Sequence, residues 1–202
     1  MAHRIDFKID EVLEKAGSVD DKITALFEFM RRHGQSCYEE SVTQLEHALQ
    51  AAHLARGAQV PADQVAAALL HDIGHFLMDE HSNDSDFQEE DWCHETVGAE
   101  HLERWFGPAI TEPIRLHVPA KRYLCTVDPS YVNGLSAASQ RSLELQGGVM
   151  SDAEKREFES NEYYETAVRM RRWDDGAKVE GLPVPDLEAY RDDVASCFLQ
   201  TG

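Results

Sequence analysis

Four histidines and two aspartates in this chain have the types and the spacing of a metal site. His71 and Asp72 are adjacent and end an Ala/Leu run, where two ionisable side chains are costly to bury unless something satisfies them. A metal ion satisfies both at once. The other members fall at intervals that suit successive helices, and the full predicted set is His47, His71, Asp72, His94, His117 and Asp174.

The donor types restrict the metal. Imidazole suits iron, zinc, copper and nickel, whereas carboxylate suits harder ions, so a mixed set of six predicts iron or manganese, bound as a pair. Structural zinc takes four ligands, often thiolates, and the four cysteines here form no C-x-x-C pair. Taken alone, His47 or His117 is more often a packed core residue than a ligand. The adjacent His71 and Asp72 are what favour the metal interpretation.

The composition and net charge of the chain restrict the kinds of molecule that it can bind. With 202 residues, of which 42% are hydrophobic, the chain is predicted to form one domain over residues 1–202, with its motif-bearing core at about 38–190. The 38 acidic and 19 basic residues give a net charge of -19, which opposes binding to nucleic acid or to anionic lipid. An anionic substrate would therefore need a local cluster of cations. The sequence leaves the oligomeric state open.

No stretch of the chain approaches the roughly 20 apolar residues that a membrane span needs, and the N-terminal segment has no apolar region typical of a leader. These features predict a cytoplasmic protein. The widely spaced Cys37, Cys93, Cys125 and Cys197 agree with reduced thiols in that compartment.

Helical periodicity and capping residues recur along the chain, while alternating β-branched runs are nearly absent, which predicts an all-α fold. A polar acidic connection at residues 77–93 is either a lid over the site or a solvated loop. Helices are expected at about 18–34, 40–56, 61–72, 94–107, 110–117, 136–146, 151 onwards, 163–174 and 186–200.

The sequence resembles a known family. The spacing of His47, of adjacent His71 and Asp72, and of Asp174 is similar to the H…HD…D pattern of the HD-domain superfamily. With His94 and His117, the set resembles the mixed-valent diiron oxygenase branch, to which myo-inositol oxygenase also belongs. Six blocks resemble the oxygenases that cleave the C–P bond of 1-hydroxy-2-aminoethylphosphonates: QLEH (44–47), LLHDIGH (69–75), HETVGA (94–99), HVPAKRYL (117–124), LELQGG (143–148) and RWD (172–174).

The resemblance implies an HD-domain helical bundle that binds two iron ions, active as Fe(II)/Fe(III), with O₂ as co-substrate. It implies oxidative cleavage of the C–P bond of a 1-hydroxy-2-(trimethylammonio)ethylphosphonate or a 1-hydroxy-2-aminoethylphosphonate. Phosphate would be released together with glycine betaine or glycine, as in organophosphonate catabolism.

The same resemblance implies roles for residues beside the metal set. His75 would hydrogen-bond the substrate near the reacting carbon, and Lys121 would act with it as a catalytic residue. The phosphonate oxygens would be held by Lys121, Ser139, Ser142 and Arg171. On helices, Lys121 would share a face with His117, and Arg171 with Asp174. These cations would form the local cluster that an acidic chain needs.

The chain departs from that family near residue 38. Glu40 keeps the position of a glutamate that receives the cationic end of the substrate, but Cys37 stands where the family has a tyrosine that occupies iron until substrate displaces it. Tyr38 is one residue further along. The smaller Cys37 would leave room for a quaternary ammonium group that contacts the ring of Tyr38, whereas a one-residue shift of the loop would restore the family's tyrosine. The first alternative favours the trimethylammonio substrate.

Two other functions compete with the oxygenase. An HD phosphohydrolase, with a metal-bound water as its nucleophile, explains His47, His71, Asp72 and Asp174 but assigns no role to His94 and His117. A metal-dependent sensor would be indicated by a degenerate set of ligands, and here the set of six is intact.

Overall fold

The computed structural model describes residues 8–37, 41–78 and 93–199, and within them the chain folds into twelve α-helices and one 3-10 helix. This confirms the predicted all-α class. Two isolated β-bridges link Cys37 with Thr43 and Phe106 with Phe198. The α-helices are α1 (Lys8–Lys15), α2 (Val19–His33), α3 (Gln44–Gly57), α4 (Ala62–Leu70), α5 (Ile73–Leu77), α6 (His94–Leu102), α7 (Pro108–Val127), α8 (Pro129–Val132), α9 (Ala137–Leu145), α10 (Asp152–Ser160), α11 (Tyr164–Gly176) and α12 (Arg191–Cys197), and the 3-10 helix is Leu187–Tyr190.

Helix α4 lies at the centre of the fold. It packs against α3, α7, α11 and α12, and all six residues from Val65 to Leu70 are buried. Alanines on α3 and α4 let the two helices approach closely, because their side chains add little volume between the axes. A helix that is apolar on every side is stable only when it is surrounded, which explains why the Ala/Leu run leads into the interior.

Side-chain caps set several of the helix starts. Ser18 caps α2 by accepting from the backbone N–H of Asp21. Reciprocal capping boxes begin α3, between Thr43 and Glu46, and α10, between Ser151 and Glu154. Each box satisfies backbone N–H groups that have no partner within the helix. The box at Thr43 places the start of α3 at Gln44 rather than near residue 40.

Helix α7 differs from the prediction. A short helix ending before Pro119 was expected, but a single helix of 20 residues runs from Pro108 to Val127 with Pro113 and Pro119 inside it. Each interior proline removes one helical hydrogen bond. Packing of α7 against α4, α6 and α11 along its length offsets that loss. The continuous helix places Lys121 one turn beyond His117.

Two other helix boundaries differ from the prediction. Helix α6 ends at Leu102 instead of continuing to Gly107, and the last predicted helix is divided into the 3-10 helix and α12. In the part of the chain that is described, no helix has both the length and the apolar character that crossing a bilayer requires.

Candidate metal centre

The six residues predicted to bind metal lie on α3, α6, α7, α11 and the junction between α4 and α5, and their side chains meet in the interior of the fold. They are His47 on α3, His71 at the end of α4, Asp72 just before α5, His94 at the start of α6, His117 in the middle of α7 and Asp174 near the end of α11. We call these six residues the histidine–aspartate cluster. His71 and His117 are at most 1% exposed, and His47 and Asp174 are also buried.

One half of the histidine–aspartate cluster surrounds His47 and His71. Their Nε2 atoms are 3.2 Å apart. Asp72 Oδ2 lies 3.4 Å from His47 Nε2 and 3.3 Å from His71 Nε2. Asp174 Oδ1 lies 3.3 Å from His47 Nε2, and its Oδ2 lies 4.0 Å from His71 Nε2. Two nitrogens and two carboxylates thus converge on one point.

The other half surrounds His94 and His117. Their Nε2 atoms are 3.1 Å apart, and Asp72 Oδ1 lies 3.4 Å from the first and 3.6 Å from the second. The two oxygens of Asp72 therefore face different pairs of imidazoles. A carboxylate in this position can bridge two metal ions, one in each half.

Backbone carbonyls fix three of the imidazoles in the tautomer that a metal requires. The Nδ1 atoms of His47, His71 and His117 lie 2.8, 2.9 and 2.7 Å from the carbonyl oxygens of Ala177, Ala68 and Ile114. A carbonyl only accepts, so each Nδ1 donates, and a neutral ring then carries its lone pair on Nε2. Such outer hydrogen bonds orient metal-ligating histidines in general.

This arrangement passes a physical test for a metal site. Lone pairs on Nε2 atoms about 3 Å apart repel each other unless a cation lies between them. Burial would lower the pKa of His47, yet Asp174 and Asp72 outweigh it and raise that pKa to about 10. The cluster therefore demands positive charge at this point, which a proton or a metal ion supplies.

The charge states of the other members suit a metal. Burial, and then the neighbouring His94, hold the pKa of His117 well below its usual value, so that the ring is neutral. Burial alone would raise the pKa of Asp72, but His71, His47 and His94 keep it well below its usual range. Neutral imidazole and ionised carboxylate are the forms that bind metal.

His75, predicted to contact substrate, lies directly beside the second half. Its ring stacks on that of His94, with centroids 3.9 Å apart and an interplanar angle of 17°. Potential ligand atoms of Asp72, His75 and His94 all lie within 4.8 Å of one another. His75 also lines a cavity of about 280 Å³, whose other described lining residues are Arg32, His33, Gln35, Ser36, Phe76 and Met78.

Three of the residues predicted to bind the phosphonate, Lys121, Ser139 and Ser142, are linked by hydrogen bonds. Lys178, which no sequence pattern indicated, is bonded to the same group. Lys121 Nζ donates to Ser142 Oγ at 2.7 Å, and Ser142 Oγ donates to the carbonyl oxygen of Ser139 at 3.2 Å. Lys178 Nζ donates to Ser139 Oγ at 3.3 Å. We call Lys121, Ser142, Ser139 and Lys178 the lysine–serine cluster. Burial, and then Arg171, lower the pKa of Lys121 to about 7.

Arg171 connects the phosphonate residues to the metal set. Its Nη1 lies 2.8 Å from Asp174 Oδ2, its Nη2 bonds Asp175, and its Nε donates to Tyr131 Oη at 3.3 Å. The hydroxyl of Tyr131 in turn donates to Asp175. Asp175 follows Arg171 by four residues, a helical spacing that could have been found in the sequence, whereas no local pattern indicates Tyr131. Tyr38 and Glu40, predicted to receive the head group of the substrate, lie outside the described residues.

A search against protein families matches the HD domain model over residues 45–146, half of the chain. The match covers five members of the histidine–aspartate cluster, all but Asp174, together with most of the helices that position them. The chain belongs to the HD-domain family.

Individual relatives define the branch. The chain is 61% identical over 198 residues, 98% of each chain, to hydroxymethylphosphonate dioxygenase of Gimesia maris. It is 41% identical over 170 residues, 84% of this chain and 85% of the relative, to [1-hydroxy-2-(trimethylamino)ethyl]phosphonate dioxygenase (glycine-betaine-forming) of Leisingera caerulea. Within the HD-domain family, it is a member of the phosphonate dioxygenases.

Proposed function

We propose that this chain uses O₂ to cleave the C–P bond of hydroxymethylphosphonate, releasing phosphate and formate. The observation that carries the proposal is the 61% identity to a hydroxymethylphosphonate dioxygenase over nearly the full length of both chains. In the overall reaction, hydroxymethylphosphonate and one O₂ give formate and phosphate. The C–P bond and one C–H bond break, C1 and phosphorus each gain an oxygen, and O₂ is reduced as C1 is oxidised.

We propose two iron ions, working as Fe(II)/Fe(III), as the metals of the histidine–aspartate cluster. His47, His71, Asp72 and Asp174 would hold one ion, and His94, His117 and the second oxygen of Asp72 the other. The mixed nitrogen and oxygen donors support iron over softer metals. When bound, the iron pair supplies the redox chemistry that activation of O₂ requires.

The chain's own residues would bind and orient the substrate. Arg171 retains N–H groups beyond the three it uses, and Lys121 and the two serines add further donors within one hydrogen-bonded group. Donors held by a buried network fix the phosphonate without reorganising during the reaction. His75, which stacks on His94, would hydrogen-bond a substituent of C1 and so orient the C–H bond that breaks.

The alternative head groups remain candidates for the same chemistry. The 41% identical relative, which forms glycine betaine, supports a trimethylammonio substrate, and the amino analogue differs from it only by its methyl groups. The higher identity to the hydroxymethylphosphonate dioxygenase, 61% against 41%, supports the substrate whose C1 carries no cationic substituent.

A panel of substrates tests the proposal. Iron-loaded protein is supplied with hydroxymethylphosphonate, the trimethylammonio and amino 1-hydroxyethylphosphonates, and a phosphate monoester, while O₂ consumption and phosphate release are followed together. We expect one phosphate per O₂ and a kcat/KM at least about tenfold higher for hydroxymethylphosphonate. A tenfold preference for a cationic substrate would change the assigned substrate. Phosphate release from the ester without O₂ would instead show a phosphohydrolase.

Replacing Lys121 should weaken binding of the phosphonate far more than binding of the metal ions. Truncating one partner of a buried charge pair costs about 2–5 kcal/mol, so Lys121→Ala should lower kcat/KM by roughly 30-fold or more. Iron content should stay at the wild-type level, because Lys121 bonds Ser142 and not the histidine–aspartate cluster. Steady-state kinetics and iron quantitation check this, and unchanged kinetics would remove Lys121 from the binding site.

The rate should depend on pH through the same amine. With a pKa of about 7, Lys121 loses its proton, and its hold on the phosphonate, as pH rises above neutrality. The value of kcat/KM reports the free enzyme, so it should fall towards tenfold per pH unit between about pH 7.5 and 9. Lys121→Arg should flatten this limb, because a guanidinium keeps its charge there. The phosphonate's own ionisation affects both proteins equally, and the same limb in both would contradict the assignment.

A further inference from the structure

The backbone around Lys178 is anchored on both sides by buried side chains of α3. The ring of His47 donates to the carbonyl oxygen of Ala177, the residue before Lys178. The amide of Gln50 bonds both backbone groups of Val179, the residue after it, at 2.8 and 3.0 Å. Gln50 is 2% exposed. Three hydrogen bonds thus fix the point from which the side chain of Lys178 starts.

From that fixed point, the ammonium of Lys178 reaches the lysine–serine cluster. Its Nζ lies 3.3 Å from the hydroxyl oxygen of Ser139, whose carbonyl oxygen accepts from Ser142. Ser142 accepts from Lys121 in turn. A continuous run of polar groups therefore joins two ammonium groups through two serines. An arrangement of cations and hydroxyl groups suits an anion with several oxygens.

Arg171 shares its positive charge with two neighbouring carboxylates. Arg171 is in contact with the carboxylates of Asp174 and Asp175, so two negative charges already surround its one positive charge. Burial and Arg171 also lower the pKa of Lys121 to about 7, which reduces its charge at neutral pH. Lys121 and Arg171 together therefore offer a bound phosphonate less than two full positive charges.

We propose that Lys178 is a further binding residue for the phosphonate group, with its ammonium and that of Lys121 on either side of Ser139 and Ser142. This inference rests on the proposed function and adds to it a residue that lies beyond the end of α11, outside any motif. Lys178 binds the phosphonate oxygens by charge and hydrogen bonding, and it makes no contribution to the bonds that break.

Binding of inorganic phosphate provides a test that does not depend on turnover. Iron-loaded Lys178→Met and Lys178→Ala proteins are titrated with phosphate by calorimetry without O₂, and their kinetics with hydroxymethylphosphonate are measured in air. We expect the Kd for phosphate and the KM for the phosphonate to rise at least tenfold, with kcat within about threefold of wild type. Lys178→Arg, which keeps the charge, should recover most of the loss.

The matched control is Lys15→Ala, which removes the same charge from an exposed pair with Glu11 on α1 and should leave both constants unchanged. An unchanged phosphate Kd and KM in Lys178→Met would overturn the inference while leaving C–P cleavage by the wild type intact. Loss of iron in step with the rise in KM would also overturn it, because Lys178 would then act through the fold. If the wild type cleaves no hydroxyphosphonate, the proposed function fails, and the phosphate titration still decides the role of Lys178.

Discussion

Asp72→Ala is expected to remove both metal ions and to abolish turnover. The two oxygens of Asp72 face different imidazole pairs, at 3.3 and 3.4 Å from His71 and His47 and at 3.4 and 3.6 Å from His94 and His117. Its loss therefore takes one donor from each proposed site. Removing even an outer partner of a metal ligand lowers metal affinity or activity about 10–100-fold. Loss of a ligand that both sites share should therefore lower the affinity for iron by more than about 100-fold.

Iron per chain and O₂ consumption after reconstitution measure the effect. His53→Ala is a suitable control, because His53 lies on α3 six residues after His47 and is exposed. It should bind two irons and turn over normally. His117→Ala and Asp174→Ala should each lower iron content and abolish turnover as well. Full loading and normal activity in Asp72→Ala would show that these six residues are not the metal site.

Gly74→Ala is expected to have the second large effect, through the backbone of His94. A Cβ on Gly74 would lie 1.9 Å from the carbonyl oxygen of His94 and 2.7 Å from its carbonyl carbon. No rotamer change relieves a contact with backbone atoms, so α5 and the start of α6, which carries His94, must move apart. Overpacking a core costs typically 1–3 kcal/mol, and this contact should cost about 3 kcal/mol or more.

The melting temperature and the iron content of Gly74→Ala should fall together. For a chain of this size, about 3 kcal/mol corresponds to a decrease of roughly 6–12 °C in Tm. Gly57→Ala is the control, because Gly57 ends α3 and an added Cβ there would meet no atom within 4 Å. It should be neutral or slightly stabilising. Equal melting temperatures for the two variants would show that α5 and α6 can separate without cost.

The sequence was a good guide to the histidine–aspartate cluster because its members lie at helix ends or on buried helix faces. His71 and Asp72 follow a run that can only be buried, and His117 lies on an amphipathic helix. The same reasoning failed at Pro119, since local rules predict a helix end there and tertiary packing overrides them. Nothing local shows that α7 is enclosed by three other helices.

Other features depend on contacts that sequence spacing does not encode. Lys178 lies past the end of α11, so no helical period relates it to Ser139, which is 39 residues away. The contact of Gly74 with His94 joins two elements across a segment outside the described residues. The sequence shows a glycine at position 74 but not why glycine is required there, because it is the backbone of His94 that leaves no room for a Cβ.

If the two clusters bind iron and phosphate as proposed, the hydrogen bond from His47 to the carbonyl oxygen of Ala177 would also couple the two binding events. An ion that fixes the ring of His47 fixes the residue that precedes Lys178, so iron and phosphate occupy linked sites on the proposed assignment. Linkage is reciprocal: if iron tightens phosphate binding by some factor, typically about 5–150-fold, phosphate must tighten iron binding by the same factor. The enzyme without an anion in its lysine–serine cluster is then the form that loses its iron most readily to a chelator.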